Sequence, residues 1–184
     1  MLRFFDVLFA AFGLLFGSPL LLILLVGGWL DTGSPVFRQT RVGRDQRLFT
    51  LLKFRTMRAD TAQVATHLAD ASAITKWGGF LRRTKLDELP QLWNVLIGDM
   101  SLVGPRPCLP NQTELIAERA QRGVFSARPG ITGLAQVQGI DMSDPQRLAE
   151  VDARMLQDFS VRCYFKYIVL TALGQGAGDR VQGR

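Results

Sequence analysis

The chain has a single histidine, His67, set in a polar stretch, so its composition excludes a histidine-based triad or a multi-histidine metal site. Cysteine is almost as scarce. Cys108 and Cys163 have neither metal-ligand spacing nor the density of a disulfide scaffold, which fits a reducing, cytosol-facing location. No internal repeat or low-complexity segment occurs, and no linker divides residues 34–184. The glycine-rich run GQGAGD, beginning at Gly174, follows a helical pattern instead of opening one, so a nucleotide-binding fingerprint is excluded too. Charge is missing from 24 consecutive residues between Asp6 and Asp31.

What is present is apolar and basic. Of 184 residues, 47% are hydrophobic, ample for one domain with its own core. Twenty-two Lys and Arg stand against 16 Asp and Glu, a net charge of +6. That balance points to an anionic partner: nucleic acid, lipid headgroups or a phosphorylated substrate. Nucleic acid is disfavoured, because the chain has no aromatic-and-basic recognition surface and carries a lipid-seeking segment.

The uncharged run, as one straight helix at ~1.5 Å per residue, would cover the roughly 30 Å hydrocarbon core of a bilayer. Three readings compete. A cleaved signal peptide has only Arg3 as a charged start, and no small-residue cleavage site follows. A simple spanning helix is the plain alternative. The third reading rests on Ser18-Pro19 at the middle of the run. Proline there kinks or breaks the helix, and the Ser18 hydroxyl can re-satisfy a freed backbone group. A sharp break returns the chain to its side of entry, with Arg3, Arg38, Arg41 and Arg44 together on the cytoplasmic face. Proline kinks also occur in spanning helices, so membrane attachment follows from these residues and topology does not.

Residues 34–58 read as short extended pieces around a turn at Gly43-Arg44-Asp45. Seven bases and one acid lie between Arg38 and Arg58, a density suited to lipid phosphates or an anionic substrate. A polar, alanine-rich stretch over 59–75 suggests a helix, and 112–122 a second. Asp144-Pro145 caps another, with Leu148, Val151, Met155 and Phe159 at helical spacing. Val161, Tyr164, Phe165, Ile168 and Ala172 then share one face of a helix that fits a core or, preferably, a membrane interface. The stretch ARPGITGLAQVQG, Ala127–Gly139, reads as a shaped loop, with Arg128 either a phosphate contact or half of a salt bridge.

The densest chemistry lies in RRTKLDELPQLWNVLIGDMSLVGPRP, Arg82–Pro107. Leu86, Leu89, Leu92, Trp93 and Leu96 keep helical spacing, and Pro90 fits only a first turn. The pattern predicts a core-packed helix over 86–97 with Asp87 and Glu88 at its N-terminus. The helix end and Arg82, Arg83 and Lys85 all favour ionised carboxylates, suited to nucleophilic attack or metal binding. An isolated acid pair would be read as a cap. Here Gly98, Gly104, Pro105 and Pro107 shape a turn that presents Arg106 for a bidentate grip on phosphate. Acids for a divalent cation, arginines for phosphate and a lipid anchor describe phosphoryl transfer at a membrane.

These motifs closely resemble the monotopic phosphoglycosyl transferases, bacterial sugar transferases that start glycan assembly on undecaprenyl phosphate. The resemblance runs through RFFD, the Ser18-Pro19 break, SPVFRQTRVG, KFRTM, the acid pair and both later loops. It implies an α+β, predominantly helical fold: a re-entrant anchor over 1–33 and a cytosol-facing catalytic domain over 34–184, with a small β-hairpin region and interfacial amphipathic helices. It places the protein at the bacterial inner membrane, with membrane phospholipids, a UDP-sugar and undecaprenyl phosphate as partners and a homodimer as a further expectation. It also implies a ping-pong reaction in which Asp87 takes the phosphosugar from a UDP-sugar, releasing UMP, while Glu88, with Asp87, is associated with Mg²⁺. Arg82, Arg106 and Arg128 would contact phosphates, Pro105 and Pro107 would flank the second of these, and Arg3, Asp6, Ser18 and Pro19 would serve headgroup and membrane break. The other reading of the same fold is an inactive membrane scaffold for a glycan-assembly complex.

The chain departs from the family pattern at Leu2, where a basic residue is usual, at Lys85, where Ser is common, and at Ile140, where an arginine often stands. It reads as a minimal catalytic unit, and the sugar implied by family habit is an N-acetylated hexosamine.

Overall fold

A computed structural model describes residues 2–61 and 71–176. Helices α1 (Leu2–Phe16) and α2 (Ser18–Thr32) divide at Gly17. Pro19 cannot donate back into α1, and the Ser18 hydroxyl donates instead to the Leu15 carbonyl at 2.8 Å. The two axes are bent by 65°, and no single helix among the described residues is long and apolar enough to cross a membrane. Phe4, Phe12, Leu15 and Phe16 on α1 and Leu22, Ile23, Trp29 and Leu30 on α2 are largely exposed, so the pair presents one broad apolar surface.

The opposite face of the pair is not free. Ala10 on α1 is buried with Leu51, Val95 and Met100, and Leu24 on α2 with Phe54 and Leu81. The segment read as an anchor therefore shares its core with the residues that follow it.

Strands β1 (Val36–Val42) and β2 (Leu48–Phe54) pair antiparallel from Val36↔Phe54 to Val42↔Leu48, the hairpin expected there. Helix α3 (Lys76–Thr84) is capped by the Thr75 hydroxyl, which accepts from the Gly78 amide. The helix expected over 86–97 is divided. Leu86–Glu88 form a 3₁₀ turn and α4 runs only from Gln91 to Ile97, with Pro90 as its cap residue. Leu92 and Leu96 pack inward, but Trp93 is 49% exposed, so it is not a core residue.

Helix α5 (Thr113–Gln121) lies where the spacing placed it. So does α7 (Pro145–Gln157), whose Asp144 side chain accepts from the Arg147 amide. Between them, Ala127–Gly139 corrects the expectation of a loop. It holds strand β4 (Gly130–Thr132) and the short helix α6 (Leu134–Val137). β4 pairs parallel with β3 (Ser101–Val103), joining Ser101 to Gly130 and Val103 to Thr132. No periodicity shows in three-residue strands whose partners are remote in sequence, so pattern alone could not find them.

Helix α8 (Val161–Ala172) keeps most of its expected face in the core, with Tyr164 buried and Phe165 and Ile168 packed beside it; Tyr167 joins them, whereas Val161 is exposed. The expected helix over 59–75 falls largely outside the described residues, as does His67; Ala71–Ala73 form a 3₁₀ turn.

The close approach of β3 and β4 needs glycine. A Cβ on Gly130 would fall on the backbone of Gly104, and one on Gly104 would meet the Arg128 carbonyl. Both contacts involve backbone, which a rotamer change cannot relieve. Gly130→Ala is expected to cost about 3 kcal/mol or more, read as a clear fall in melting temperature.

Candidate active site

The turn that carries the acid pair is set by its neighbours. Lys85 ends α3 in the left-handed region at φ 58, a conformation uncommon outside glycine, and so redirects the chain into the 3₁₀ turn. Asp87, in that turn, is 6% exposed. The pair therefore does not sit at the N-terminus of an α-helix, as expected, because α4 begins three residues beyond Glu88. The cations that face the pair come from elsewhere: Lys53 Nζ on β2 and the Arg106 guanidinium approach Glu88 Oε1 at 3.2 and 3.1 Å.

Asp87 and Glu88 open on one cleft with Arg82, Lys85 and Arg106. Arg82 is aimed by Nε, which donates to the Thr56 hydroxyl at 2.9 Å. The other wall is neutral and comes from β4, α6 and α8, including Thr132, Gln136 and Thr171. Gln175 and Gly176 close the same cleft, and Lys85 Nζ donates to the Gln175 carbonyl at 3.0 Å. The tail that fails as a nucleotide fingerprint thus borders the site, though Ala177 onward lies outside the described residues.

The Gly104–Cys108 loop is held at nearly every carbonyl. Gly130 N donates to the Pro105 carbonyl at 2.9 Å, Arg41 to the Pro107 carbonyl at 3.0 Å and Val42 N to the Cys108 carbonyl at 2.9 Å. The Arg106 carbonyl accepts from Arg119 NH1 at 2.8 Å. Arg119 is 1% exposed, and its Nε and NH2 both donate to Oδ2 of Asp152, which is fully buried. Burial pushes the Asp152 carboxyl upward while Arg119 pulls it back, and burial likewise raises the Cys108 thiol beside them. Sequence reasoning missed this pair. Arg119 and Asp152 are ordinary members of charged helices, and only the packing of α5 on α7 buries both.

Pro105 and Pro107 shape the loop on the side away from the acids, lining a small recess with Arg119 and Phe125. Arg128 does not line the acid-pair cleft. Its Nε donates to the Gly98 carbonyl at 2.9 Å, and it borders a separate cleft. Arg3 and Asp6, expected at the headgroups, turn inward. Arg3 donates to the Leu96 and Met100 carbonyls. Asp6, 3% exposed, accepts from Ser101 Oγ, Leu102 N and the Tyr164 hydroxyl, each at 2.9 Å. Burial, and then the Asp6 carboxylate, hold the Tyr164 proton far above the usual phenol range, so that bond pins α1 to α8.

Among the described residues no group of three or more His, Cys, Asp or Glu could hold a metal ion. Two adjacent carboxylates are nevertheless the usual protein share of a Mg²⁺ shell, which waters and substrate phosphates complete. The donor set of Asp87 and Glu88 fits that ion.

A family model described as bacterial sugar transferase matches residues 1–175. The chain belongs to that family. It is 39% identical over 170 residues to the uncharacterized sugar transferase EpsL of Bacillus subtilis (strain 168), covering 92% of this chain and 84% of that protein. It is 38% identical over 193 residues to the galactosyl transferase CpsE of Streptococcus agalactiae serotype III, covering 95% of this chain but 43% of the relative. With the UDP-glucose:undecaprenyl-phosphate glucose-1-phosphate transferase of Xanthomonas campestris pv. campestris it shares 39% identity over 183 residues, 91% of this chain and 37% of the relative. The chain thus spans less than half the length of two of these three.

Proposed function

We propose that the protein transfers a sugar-1-phosphate from a UDP-sugar to undecaprenyl phosphate, through a phosphosugar held on Asp87. The observation that carries this reading is the cleft itself. A nearly buried aspartate adjoins a glutamate paired with Lys53 and Arg106, among cations that suit a diphosphate. The Asp87 carboxylate attacks the β-phosphorus, the bond to the bridging oxygen breaks, and UMP leaves. An acceptor phosphate oxygen then attacks the same phosphorus and frees the carboxylate. Arg82 and Arg106 bind and orient the phosphates, and Lys53 with Arg106 fixes Glu88. Bound Mg²⁺, held by Glu88 and Asp87, would offset phosphate charge.

The experiment is incubation of the full chain with a UDP-sugar and no lipid acceptor. UMP release up to one equivalent, with a mass increase of one phosphosugar, is the expected result. Release only when acceptor is present would sink the covalent route. The family resemblance implies an N-acetylated hexosamine, whereas two of the three relatives above are named for galactose and glucose, so the substrate panel holds both kinds. An inactive scaffold would release UMP from none of them.

We further infer that α1 and α2 form a re-entrant anchor on the cytoplasmic side of the bacterial inner membrane. The 65° break and the apolar outer face support it. Cysteines placed at Leu2 and Gly33 should both react with a membrane-impermeant thiol reagent from the same side. Labelling from opposite sides would establish a spanning arrangement.

A further inference from the structure

We propose that the cleft between the β1–β2 turn and the Gly98 turn is a second anion site, and that it takes the phosphate of a membrane lipid. It shares no lining residue with the acid-pair cleft, and the inference does not depend on the reaction proposed above. Three guanidinium groups border it: Arg44 and Arg47 from the hairpin turn, and Arg128 from the segment leading into β4.

The site is arranged before any ligand arrives. Gly43 N donates to the Arg47 carbonyl at 2.8 Å, and Arg47 N to the Arg44 carbonyl at 3.1 Å, so the turn closes on itself. Asp45 and Gln46 hold the left-handed conformation at φ 53 and 58, which fixes Arg44 and Arg47 on either side of them. Arg128 is oriented by its Nε bond to Gly98, and its terminal nitrogens face no carboxylate partner among the described residues. Arg47 has no ion pair among the described residues either. Of the two acids at the cleft, one pairs with Arg44 and the other is held by Asn94. Asp45 lies 3.5 Å from Arg44, and Asp99 Oδ2 accepts from Asn94 at 3.3 Å. Arg47 and Arg128, planar guanidiniums without carboxylate partners among the described residues, suit a phosphate, which they can grip in bidentate fashion.

The rim says where that phosphate comes from. Leu48 borders the cleft and is 62% exposed, and Ile97, next to Gly98, is 55% exposed. Arg3 donates to the Leu96 carbonyl at 3.1 Å, which brings the start of α1 and its apolar outer face beside the same turn. A polar cleft that opens where an apolar surface begins fits a phosphate carried on a hydrocarbon chain. A free ion would need no such rim.

The test uses the full chain released from neutral-detergent micelles and weighed intact by native mass spectrometry. Three probes are added separately: phosphatidylglycerol, a polyprenyl monophosphate and inorganic phosphate. Wild type should retain one lipid phosphate, and Arg47→Gln/Arg128→Gln, which removes two charge-assisted contacts, should retain it at least about tenfold more weakly. Arg47→Gln alone, at an exposed position, guards against a folding defect, and Arg38→Gln, outside the cleft, should bind as wild type. Loss of phosphatidylglycerol supports a headgroup site, and loss of the polyprenyl monophosphate a holding site for a lipid monoester. Equal retention by wild type and the double variant, or retention of inorganic phosphate alone, overturns the proposal.

Discussion

Asp87→Asn is expected to abolish UMP release and the phosphosugar adduct together, by about 10³-fold or more in a single turnover. The substitution changes little in shape, so the 3₁₀ turn and the cleft should persist. What goes is the anionic oxygen. A carboxamide is a far weaker nucleophile at phosphorus, and no histidine is available among the lining residues to stand in. Glu88→Gln should behave differently. It keeps the attacking group but weakens the pairing with Lys53 and Arg106, so the adduct forms slowly and the requirement for Mg²⁺ rises. The measurement is quenched-flow with a radiolabelled UDP-sugar and no acceptor. Wild-type adduct levels in Asp87→Asn would remove this residue from the chemistry, whatever the fate of Glu88.

Arg119 and Asp152 give the second large effect, because they separate stability from positioning. Arg119→Met leaves Asp152 buried without its cation and should cost about 3–5 kcal/mol. Arg119→Met/Asp152→Leu removes both charges together, and a well-packed apolar pair of that kind is often neutral or stabilising. The double variant should therefore melt near wild type. Its Arg106 carbonyl, however, loses the donor at 2.8 Å that holds the loop. We expect KM for the UDP-sugar to rise by about tenfold with kcat changed less, since the arginine is bound less firmly and the nucleophile is untouched. Arg119→Lys keeps a charge near Asp152 but cannot make all three bonds, so partial rescue of stability without rescue of KM is expected. If the double variant keeps wild-type KM, the pair serves folding alone.

The reach of the sequence is seen best at its turns. Asp144-Pro145 located the start of α7 because a cap and a first-turn proline act locally, through groups three residues apart. Ser18-Pro19 located the break between α1 and α2 for the same reason. Leucine spacing around Pro90 suggested one helix where there are two elements, because it could not register the left-handed Lys85 before the acid pair. For the site, the acid pair and Arg106 were legible as charged residues on shaped turns. Arg128 was read with them and lies in another cleft, since a loop's chemistry does not tell which way it faces.

By itself the sequence determined the chemistry: an apolar run broken at proline, adjacent carboxylates, a rigid arginine loop and an excess of cations. Those follow from residue type and from interactions within one or two turns of chain. Only the tertiary structure decided the partners. It brought Lys53 from β2 to Glu88, buried Arg119 against Asp152 beneath the Arg106 carbonyl, and turned Asp6 from a surface acid into an anchor for α1. Each of these pairs residues at least 33 positions apart, except Arg119 with Arg106 at 13. Their free energy depends on burial and direction, and neither exists until the helices have packed.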